Sequence, residues 1–251
     1  MQKILPVFLV MMFYILTGCL SHGRVLNDSS NVPSLISDIR SNTVALVLRD
    51  KDGDIVPYCT GVWVSADKIL TADHCAKAMI EQTLNVDAAA GDEERKLVEM
   101  LQINFEINYV IDSDERGIWN EPDKIYSAIV VKFDFDHDLA LLAVSDQPSH
   151  KFATLAKYVP DQGEQLHVMG MPANLYWTYT PAHVGAYREE NMRTLKLKGP
   201  WLQVMGPVWK GNSGGGAFNS YGELVGIASR TAPMPSCSFF VHLSTIKRFL
   251  D

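Results

Sequence analysis

Three short blocks, taken in chain order, constrain this sequence more than any other feature. The first contains His74, the second begins at Asp138 and continues into four apolar residues, and the third is the glycine-rich segment Gly211–Gly216, which contains Ser213. Acyl-transfer chemistry needs a nucleophile, a base that takes its proton, and a carboxylate that fixes the tautomer of the base. Because each block supplies one of these groups, the sequence predicts an enzyme of this chemical class.

Two further segments, Tyr58–Val64 and Gly222–Ser229, extend the pattern. With them, the chain resembles the chymotrypsin-like (trypsin-like) serine proteases from about Ser41 to Leu250. Tyr58–Val64 is similar to the strand that carries Cys-Gly-Gly in that family, and Gly222–Ser229 is similar to the strand that lines its substrate pocket. Five such segments in the family's order make a chance match improbable.

The resemblance implies an all-β fold of two six-stranded antiparallel β-barrels with a short C-terminal helix. We expect the protease domain to cover residues 34–251, with the barrels at about 34–147 and 148–251. Short β-branched runs broken by turn residues also favour barrels over βαβ units. The predicted strands are Thr43–Leu48, Thr60–Val64, Lys68–Leu70, Lys124–Phe133, Leu139–Val144, Glu164–Met169, His183–Tyr187, Leu195–Lys198, Leu202–Val204, Gly216–Asn219, Leu224–Ser229 and Ser238–His242, and the predicted helix is Thr245–Leu250, capped by Ser244.

Two stretches between the His74 and Asp138 blocks have a different character. Gly91–Glu99 has the composition of a helix. Asp112–Asp123 is acidic, contains glycine and proline, and indicates an exposed loop. We interpret both as solvated insertions rather than as binding sites.

The N-terminal residues predict a processing signal rather than a part of the fold. Lys3 precedes the apolar run Ile4–Ile15, which is too short to span a bilayer comfortably, since spanning takes about 20 residues. The run leads into Leu16–Cys19, which resembles the lipoprotein box of bacteria. This resemblance implies a signal peptide at residues 1–18 and acyl chains, palmitate among them, on Cys19.

Residues 19–33 are then expected to form a polar tether between lipid and enzyme. Leu20 suggests sorting to the outer membrane in a bacterium that has one. An ordinary secretory peptide or an uncleaved anchor, with Cys19 incidental, is the alternative.

The charge of the chain bears on its partners. A formal net charge of −7, without runs of Lys or Arg, makes nucleic acid a poor partner. We expect a polypeptide substrate, a membrane reached through the lipid anchor, and neither a metal nor another cofactor.

The resemblance also assigns the cysteines of the domain. Cys59 and Cys75 match a disulfide of the family that ties the His-bearing segment to the preceding strand, and the export signal implies a compartment in which it would form. Cys237 has no evident partner, because Trp209 stands where many relatives place its mate. We predict a buried, inert thiol at Cys237.

The roles that the resemblance implies begin with the base and its carboxylate. His74 is expected to be the general base. Asp138 is expected to fix its tautomer, although Asp134 and Asp136 lie close by in the sequence and only the family pattern selects Asp138. Asp73 stands where relatives usually have Ala, and its carboxylate would either raise the imidazole pKa or point to solvent.

Ser213 is expected to be the nucleophile. The surrounding glycines let the backbone turn sharply, and the backbone N–H groups of Gly211 and Ser213 would form the oxyanion hole. A phosphate-binding loop fits less well, because no Lys-Ser/Thr follows the glycines. The remaining interpretation is a glycine-rich turn without chemistry.

Asn212 departs from the trypsin-type pattern, in which an Asp pairs with a newly cut, buried N-terminal ammonium. A neutral Asn calls for no such partner, so we predict no zymogen activation by N-terminal cleavage. The segment Gly-Asn-Ser-Gly-Gly resembles the bacterial Htr-type and glutamyl-endopeptidase branches, and Val168–Pro172 resembles the Htr-type Gly-x-Pro segment. The last residue is Asp251, and we expect no PDZ domain after it.

Substrate selectivity is predicted by alignment with the family. The pocket floor would lie near Pro207 and Ser238, and its wall near Ser229, Arg230 and Thr231. These positions lack the buried Asp with which trypsin-type pockets bind Lys or Arg, so we predict an uncharged, small to medium P1 side chain. Recruitment of an acidic residue by Arg230 is the alternative.

Together these inferences predict a secreted, membrane-tethered serine endopeptidase that works through an acyl-enzyme. Two other classes stay open. One is a catalytically silent protease fold that binds a partner, and the other is a structural surface lipoprotein that acts through its acidic insertion.

Overall fold

The computed structural model describes residues 32–50, 52–84, 105–111, 125–145, 151–189 and 198–251. Residues 33–251 form one unit, built from two closed barrels of six strands each, and every strand pair within them is antiparallel. The predicted all-β fold of two six-stranded barrels is therefore confirmed.

The first barrel closes in the order β1-β2-β3-β6-β5-β4. Its closing contact joins Ala45 and Leu46 of the first strand to Val110 and Tyr109 of the fourth. The strands are β1 (Thr43–Arg49), β2 (Ile55–Ser65), β3 (Lys68–Thr71), β4 (Glu106–Val110), β5 (Tyr126–Asp134) and β6 (Leu139–Ala143).

The second barrel closes in the order β10-β11-β12-β9-β8-β7. Here Ala217 and Phe218 pair with Val168 and His167 to close the ring. The strands are β7 (Gln165–Gly170), β8 (Thr178–Arg188), β9 (Trp201–Met205), β10 (Gly216–Phe218), β11 (Leu224–Thr231) and β12 (Cys237–His242).

Three α-helices accompany the barrels in the described part of the chain: α1 (Val32–Ser41), α2 (Asp73–Thr83) and α3 (Leu243–Leu250). The predicted C-terminal helix is present, but His242 rather than Ser244 caps it, because the His242 ring accepts a hydrogen bond from the backbone N–H of Ser244. None of the described helices has the length and apolar character needed to cross a bilayer.

Alternation of side chains along β2 places the two barrels against each other. Trp63 points into the core of the first barrel, whereas its neighbour Val62 joins an apolar cluster that both barrels share. This shared cluster also takes in both terminal helices. Its fully or nearly buried members include Leu70 and Leu139 from the first barrel, Met169, Trp201 and Phe218 from the second, Ile39 from α1, and Ile246 and Phe249 from α3.

Several local expectations need correction. The helices α1 and α2 and the strand β4 were not predicted from the sequence. The strand predicted at His183–Tyr187 is longer, because β8 begins at Thr178 and runs through Pro181, which lies opposite His167. The helix-prone segment Gly91–Glu99, the acidic loop Asp112–Asp123, and most of the strand predicted at Leu195–Lys198 lie outside the described residues.

The structure joins Cys59 of β2 to Cys75 of α2 in a disulfide across a sequence separation of 16 residues. Both cysteines are buried beside the core of the first barrel. The bond therefore ties the helix that carries His74 to the adjacent strand.

We expect reduction of this bond to lower the free energy of unfolding by about 3 kcal/mol, because the closed loop restricts the unfolded chain. Urea unfolding with and without dithiothreitol measures the loss. Since Cys237 is the free cysteine of the described residues, the Cys237→Ala variant is the control and should show the same dithiothreitol-dependent loss. An unchanged unfolding midpoint on complete reduction would contradict the expectation.

Candidate active site

His74 lies in the first turn of α2, just after β3 ends at Thr71. The chain therefore enters a helix at this position. Asp73 occupies the first helical position and is buried, so it does not point to solvent. A carboxylate at this position interacts favourably with the helix dipole.

Asp138 lies directly before β6, and its carboxylate faces His74. The Nδ1 atom of His74 lies 2.9 Å from both Oδ1 and Oδ2 of Asp138, and the backbone N–H of His74 donates to Oδ1 at 2.9 Å. Asp138 has a φ of +58°, the left-handed conformation that non-glycine residues rarely adopt. Such a conformation persists when the surrounding contacts fix it, and here they hold both carboxylate oxygens.

The second barrel supplies the remaining contacts of Asp138. The hydroxyl of Ser229 donates to Oδ2, and Nη1 of Arg230 lies 3.3 Å from the same oxygen. Burial of Asp138, which is 2% exposed, opposes its ionisation. The hydrogen bond and charge of His74, with smaller contributions from Arg230 and Ser229, nevertheless hold the pKa of Asp138 below its ordinary value.

The two competing carboxylates have other partners. Asp134 Oδ2 lies 2.7 Å from Nδ1 of His137, and Asp136 pairs with Lys198. Of the three candidates, the structure therefore brings Asp138 to His74.

The loop before β10 holds Ser213 in a conformation that needs glycine on both sides. Gly211 and Gly214 have φ values of +98° and +81°. A Cβ atom at Gly214 would lie 2.1 Å from the Thr71 hydroxyl, and one at Gly211 would lie 2.1 Å from the Met171 carbonyl oxygen. No side chain fits at either position.

Backbone hydrogen bonds tie this loop to both barrels. The N–H of Thr60, in the first barrel, donates to the Ser213 carbonyl at 2.9 Å, and the N–H of Gly214 donates to the Ala228 carbonyl, in the second barrel, at 2.8 Å. The Thr60 hydroxyl also donates to the Gly211 carbonyl at 2.8 Å. Ser213 is thus fixed at the junction of the barrels.

The orientation of the Lys210–Gly211 peptide makes an anion-binding site possible. The Lys210 carbonyl accepts from the N–H of Ala173 at 2.9 Å, and a trans peptide directs the N–H of Gly211 the opposite way. Within the described ranges, the N–H groups of Gly211 and Ser213 donate to no acceptor. Two unpaired donors beside a candidate nucleophile are able to stabilise a developing oxyanion.

Asn212 is almost fully buried, and neither atom of its amide has a hydrogen-bond partner among the described residues. Its Oδ1 packs against Gly170, where a Cβ atom would lie only 2.2 Å away. The absence of a side chain at Gly170 therefore makes the room that Asn212 occupies.

His74 is close to sulfur as well as to oxygen. The Sγ atom of Cys75 lies 3.8 Å from Nε2 of His74, and Cys59, Cys75 and His74 together form a compact group of potential metal ligands. Because a disulfide sulfur carries neither a proton nor a thiolate charge, these sulfurs are not metal ligands in this state. Cys237 is buried, and this burial raises the pKa of its thiol, which makes it less reactive.

A pocket of about 170 Å³ opens beside His74 and Ser213. Of the residues predicted to form the substrate pocket, Ser229, Arg230, Thr231 and Ser238 line it, whereas Pro207 lines a neighbouring pocket of about 520 Å³. In the part of the chain that the structure describes, no hydrogen bond joins the Ser213 hydroxyl to His74. The lining residues that sequence reasoning missed are Val208, Trp209, Lys210, Asn212 and Ala228.

The guanidinium of Arg230 makes the least expected contact of the site. Its Nη1 lies 2.6 Å from Nδ1 of His74 and donates to the Ser229 carbonyl at 3.2 Å. Regular alternation along a strand would send Ser229 and Arg230 to opposite faces. The register of β11 and β12 shifts between Ala228 and Arg230, however, and this β-bulge allows both side chains to reach Asp138.

Comparison with known proteins finds similar chains among proteases. A 117-residue stretch is 29% identical to the serine endoprotease DegS of Escherichia coli and covers 46% of this chain but 33% of DegS, so the match spans about a third of that relative. The active form of the Rv3671c protease of Mycobacterium tuberculosis superposes with a TM-score of 0.62 at 18% identity, over 92% of this chain and 90% of that one. A serine endoprotease of Yersinia pestis superposes with a TM-score of 0.60 at 20% identity, over 87% of this chain and 64% of that one.

These solved structures establish the likeness of fold. The family model described as a trypsin-like peptidase domain matches residues 59–227, which is more than half of the chain. The matched range contains His74, Asp138 and Ser213. The chain therefore belongs to the trypsin-like peptidase family of serine proteases.

Proposed function

We propose that this protein is a serine endopeptidase in which Ser213 is the nucleophile, His74 the general base and Asp138 the carboxylate that orients the base. The observation that carries the proposal is the contact of His74 with the buried carboxylate of Asp138, with Nδ1 at 2.9 Å from both carboxylate oxygens, at the edge of a pocket that Ser213 also lines. DegS, to which part of the chain is similar, is a serine endoprotease.

The reaction follows from the direction of each group. In the reacting state Nδ1–H donates to Asp138, and the imidazole has its lone pair on Nε2. This lone pair takes the proton of Ser213 as the serine oxygen attacks a peptide carbonyl. The N–H groups of Gly211 and Ser213 hold the oxyanion. His74 then protonates the leaving amine, and a water molecule, activated by the same imidazole, releases the acyl group from Ser213.

A fluorophosphonate probe tests this assignment without knowledge of the substrate. We expect residues 34–251 to be labelled covalently and Ser213→Ala to remain unlabelled, because the probe reacts with an activated serine beside an oxyanion hole. His74→Ala should reduce the labelling rate by several orders of magnitude. Mass spectrometry identifies the labelled residue. A fully folded, unlabelled wild-type protein would instead favour the partner-binding alternative.

We further propose that the enzyme needs no new N-terminus for activation. Asn212 is neutral, and Gly170 leaves just enough space for its amide, so the site does not require a buried ammonium. An Asp at this position would be a buried charge. The described residues offer no hydrogen-bond partner to the amide of Asn212, and they would offer none to a carboxylate there.

We therefore expect Asn212→Asp to lower the free energy of unfolding by about 3–5 kcal/mol, the typical cost of an unpaired buried charge. Urea unfolding at pH 7 measures the change. The nearby Ser213→Ala variant is the matched control and should stay close to wild-type stability, since it removes a partly exposed hydroxyl. An Asn212→Asp protein as stable as wild type would contradict the expected cost of an unpaired charge at this position.

The third part of the proposal is an export signal at residues 1–18 and a lipid anchor on Cys19. Its support is the sequence alone: an apolar run followed by Leu16–Cys19. Acyl chains on Cys19 would confine the endopeptidase to a membrane surface.

Growth of a bacterial host with an alkyne analogue of palmitate tests the anchor. We expect the full chain to incorporate the analogue and to sediment with membranes, because acyl chains bury their methylene groups in the bilayer. Cys19→Ser should lose both properties. Equal incorporation in the variant and in wild type would contradict an anchor on this cysteine.

A further inference from the structure

We propose that Arg230 is a latch on the active site: it holds His74 in an inactive tautomer at rest, and a carboxylate side chain of the peptide substrate withdraws it. The proposal rests on the endopeptidase function above and names a substrate class for it, peptides with Asp or Glu at the residue that enters the pocket. The "latch" is the contact of Arg230 with His74 and Asp138.

The latch is visible in three distances. Nη1 of Arg230 lies 2.6 Å from Nδ1 of His74, 3.3 Å from Oδ2 of Asp138 and 3.2 Å from the Ser229 carbonyl. The first distance is that of a strong hydrogen bond. An arginine has only donors to offer and an ionised carboxylate only acceptors, so Nδ1, which also lies 2.9 Å from both oxygens of Asp138, can satisfy one of these neighbours but not both. We assign it at rest to the closer one, Arg230, so that Nδ1 is the acceptor and the guanidinium lies between it and Oδ2 of Asp138.

This contact decides where the imidazole proton is. A neutral imidazole carries one N–H, and if Nδ1 accepts from Arg230, the proton is on Nε2. Such a tautomer has no lone pair on Nε2 with which to take the proton of Ser213. If Nδ1 carried the proton instead, two donors would face each other at 2.6 Å, which is unfavourable. Arg230 and the working tautomer of His74 therefore exclude each other.

The neighbouring groups explain why Arg230 rests there without substrate. The carboxylate of Asp138 is 2% exposed and attracts a cation, and the bulge in β11 lets Arg230 reach it beside Ser229. The Arg230 side chain is still 32% exposed and also lines the pocket. It can therefore move from Asp138 to a ligand without unfolding of the strand.

The charge of the pocket selects the ligand that moves it. Lys210 and Arg230 both line the pocket, and none of its described lining residues is Asp or Glu. A substrate carboxylate meets two cations and no like charge, and it can pair with the guanidinium through two parallel hydrogen bonds. A neutral or basic side chain offers Arg230 no better partner than Asp138.

Withdrawal of the latch restores the base by a single proton shift. Once Arg230 pairs with the substrate, Nδ1 of His74 regains the proton that Nε2 gives up to solvent, and Nδ1–H then donates to Asp138. Nε2 is left with a lone pair facing the nucleophile. Substrate binding and activation are thus the same event.

The test compares wild type with Arg230→Gln on two peptides that differ only by Glu or Gln at the residue before the scissile bond. If about a tenth of the wild-type enzyme is unlatched at rest, its kcat/KM should be about tenfold higher for the Glu peptide. Arg230→Gln should cleave the two peptides at similar rates, and it should cleave the Gln peptide faster than wild type does. Arg49→Gln, a change at an exposed arginine of β1 that bonds Gly53, is the matched control.

A spectroscopic readout separates the latch from a merely structural role. In wild type without substrate, ¹⁵N NMR of His74 should show the Nε2–H tautomer, and in Arg230→Gln it should show the Nδ1–H tautomer. Thermal unfolding of both proteins verifies that the variant is folded. Nδ1–H in both proteins would overturn the latch.

The fluorophosphonate probe has no carboxylate side chain. It therefore distinguishes a failure of the latch from a failure of the endopeptidase function on which the latch rests. We expect labelling of Arg230→Gln to be about tenfold faster than labelling of wild type. Equal labelling rates with equal cleavage of the two peptides would overturn the latch and leave the endopeptidase standing. No labelling and no cleavage by any folded variant would overturn the endopeptidase and the latch with it.

Discussion

The carboxylate of Asp138 is the constraint around which the two barrels are arranged. A buried charge is tolerated only when its oxygens are fully satisfied. Here the first barrel supplies the ring and backbone N–H of His74, and the second supplies Ser229 and Arg230. The charge therefore holds together groups that no single barrel could provide. The apolar cluster shared by the barrels, which includes Leu139 next to Asp138, packs the two barrels against each other.

A second constraint is the small space around the backbone of the loop that carries Ser213. Gly211 and Gly214 approach the neighbouring backbone and side chains so closely that a Cβ atom would overlap them. The close approach allows Thr60 and Ala228 to bond to the loop from opposite sides. As a result, the peptide groups around Ser213 are held before any substrate arrives, and preorganised donors of this kind stabilise charge without a cost of reorientation at the moment of reaction.

Much of the site could be predicted from sequence because its residues stand in short, ordered motifs. The glycines around Ser213 indicate a turn, and an aspartate before an apolar run indicates a carboxylate at the end of a strand. The position of Arg230 could not be predicted in this way, because it depends on a β-bulge that changes the alternation of side chains in β11. Bulges have no reliable local signal, since they depend on the pairing of two distant strands.

The fold shows the same division between local and non-local information. Strands with β-branched runs, such as Thr43–Arg49 and Leu224–Thr231, were predicted close to their observed bounds. The path of β8 through Pro181 was not predicted. Proline is excluded from a strand only where its missing N–H would be needed for pairing, and the local sequence does not show where that is. The start of α2 at Asp73 was not predicted because the residue before it, Ala72, provides no side-chain cap. The residues Ala76–Gln82 are mostly good helix formers, and this is the signal that could have found the helix.

Arg230 illustrates how one cation has opposite effects on the two members of a catalytic pair. Next to Asp138 it favours the charged carboxylate and so lowers the pKa of that group, which supports the buried charge. Next to His74 it competes with the same carboxylate for the Nδ1 atom, because Arg230 needs a lone pair there and Asp138 needs a proton there. A lysine would carry the same charge, but it lacks the planar guanidinium. The guanidinium can form two parallel hydrogen bonds with a carboxylate, either that of Asp138 or that of a substrate. The residue that stabilises the resting site is thus also suited to leave it when a second carboxylate arrives.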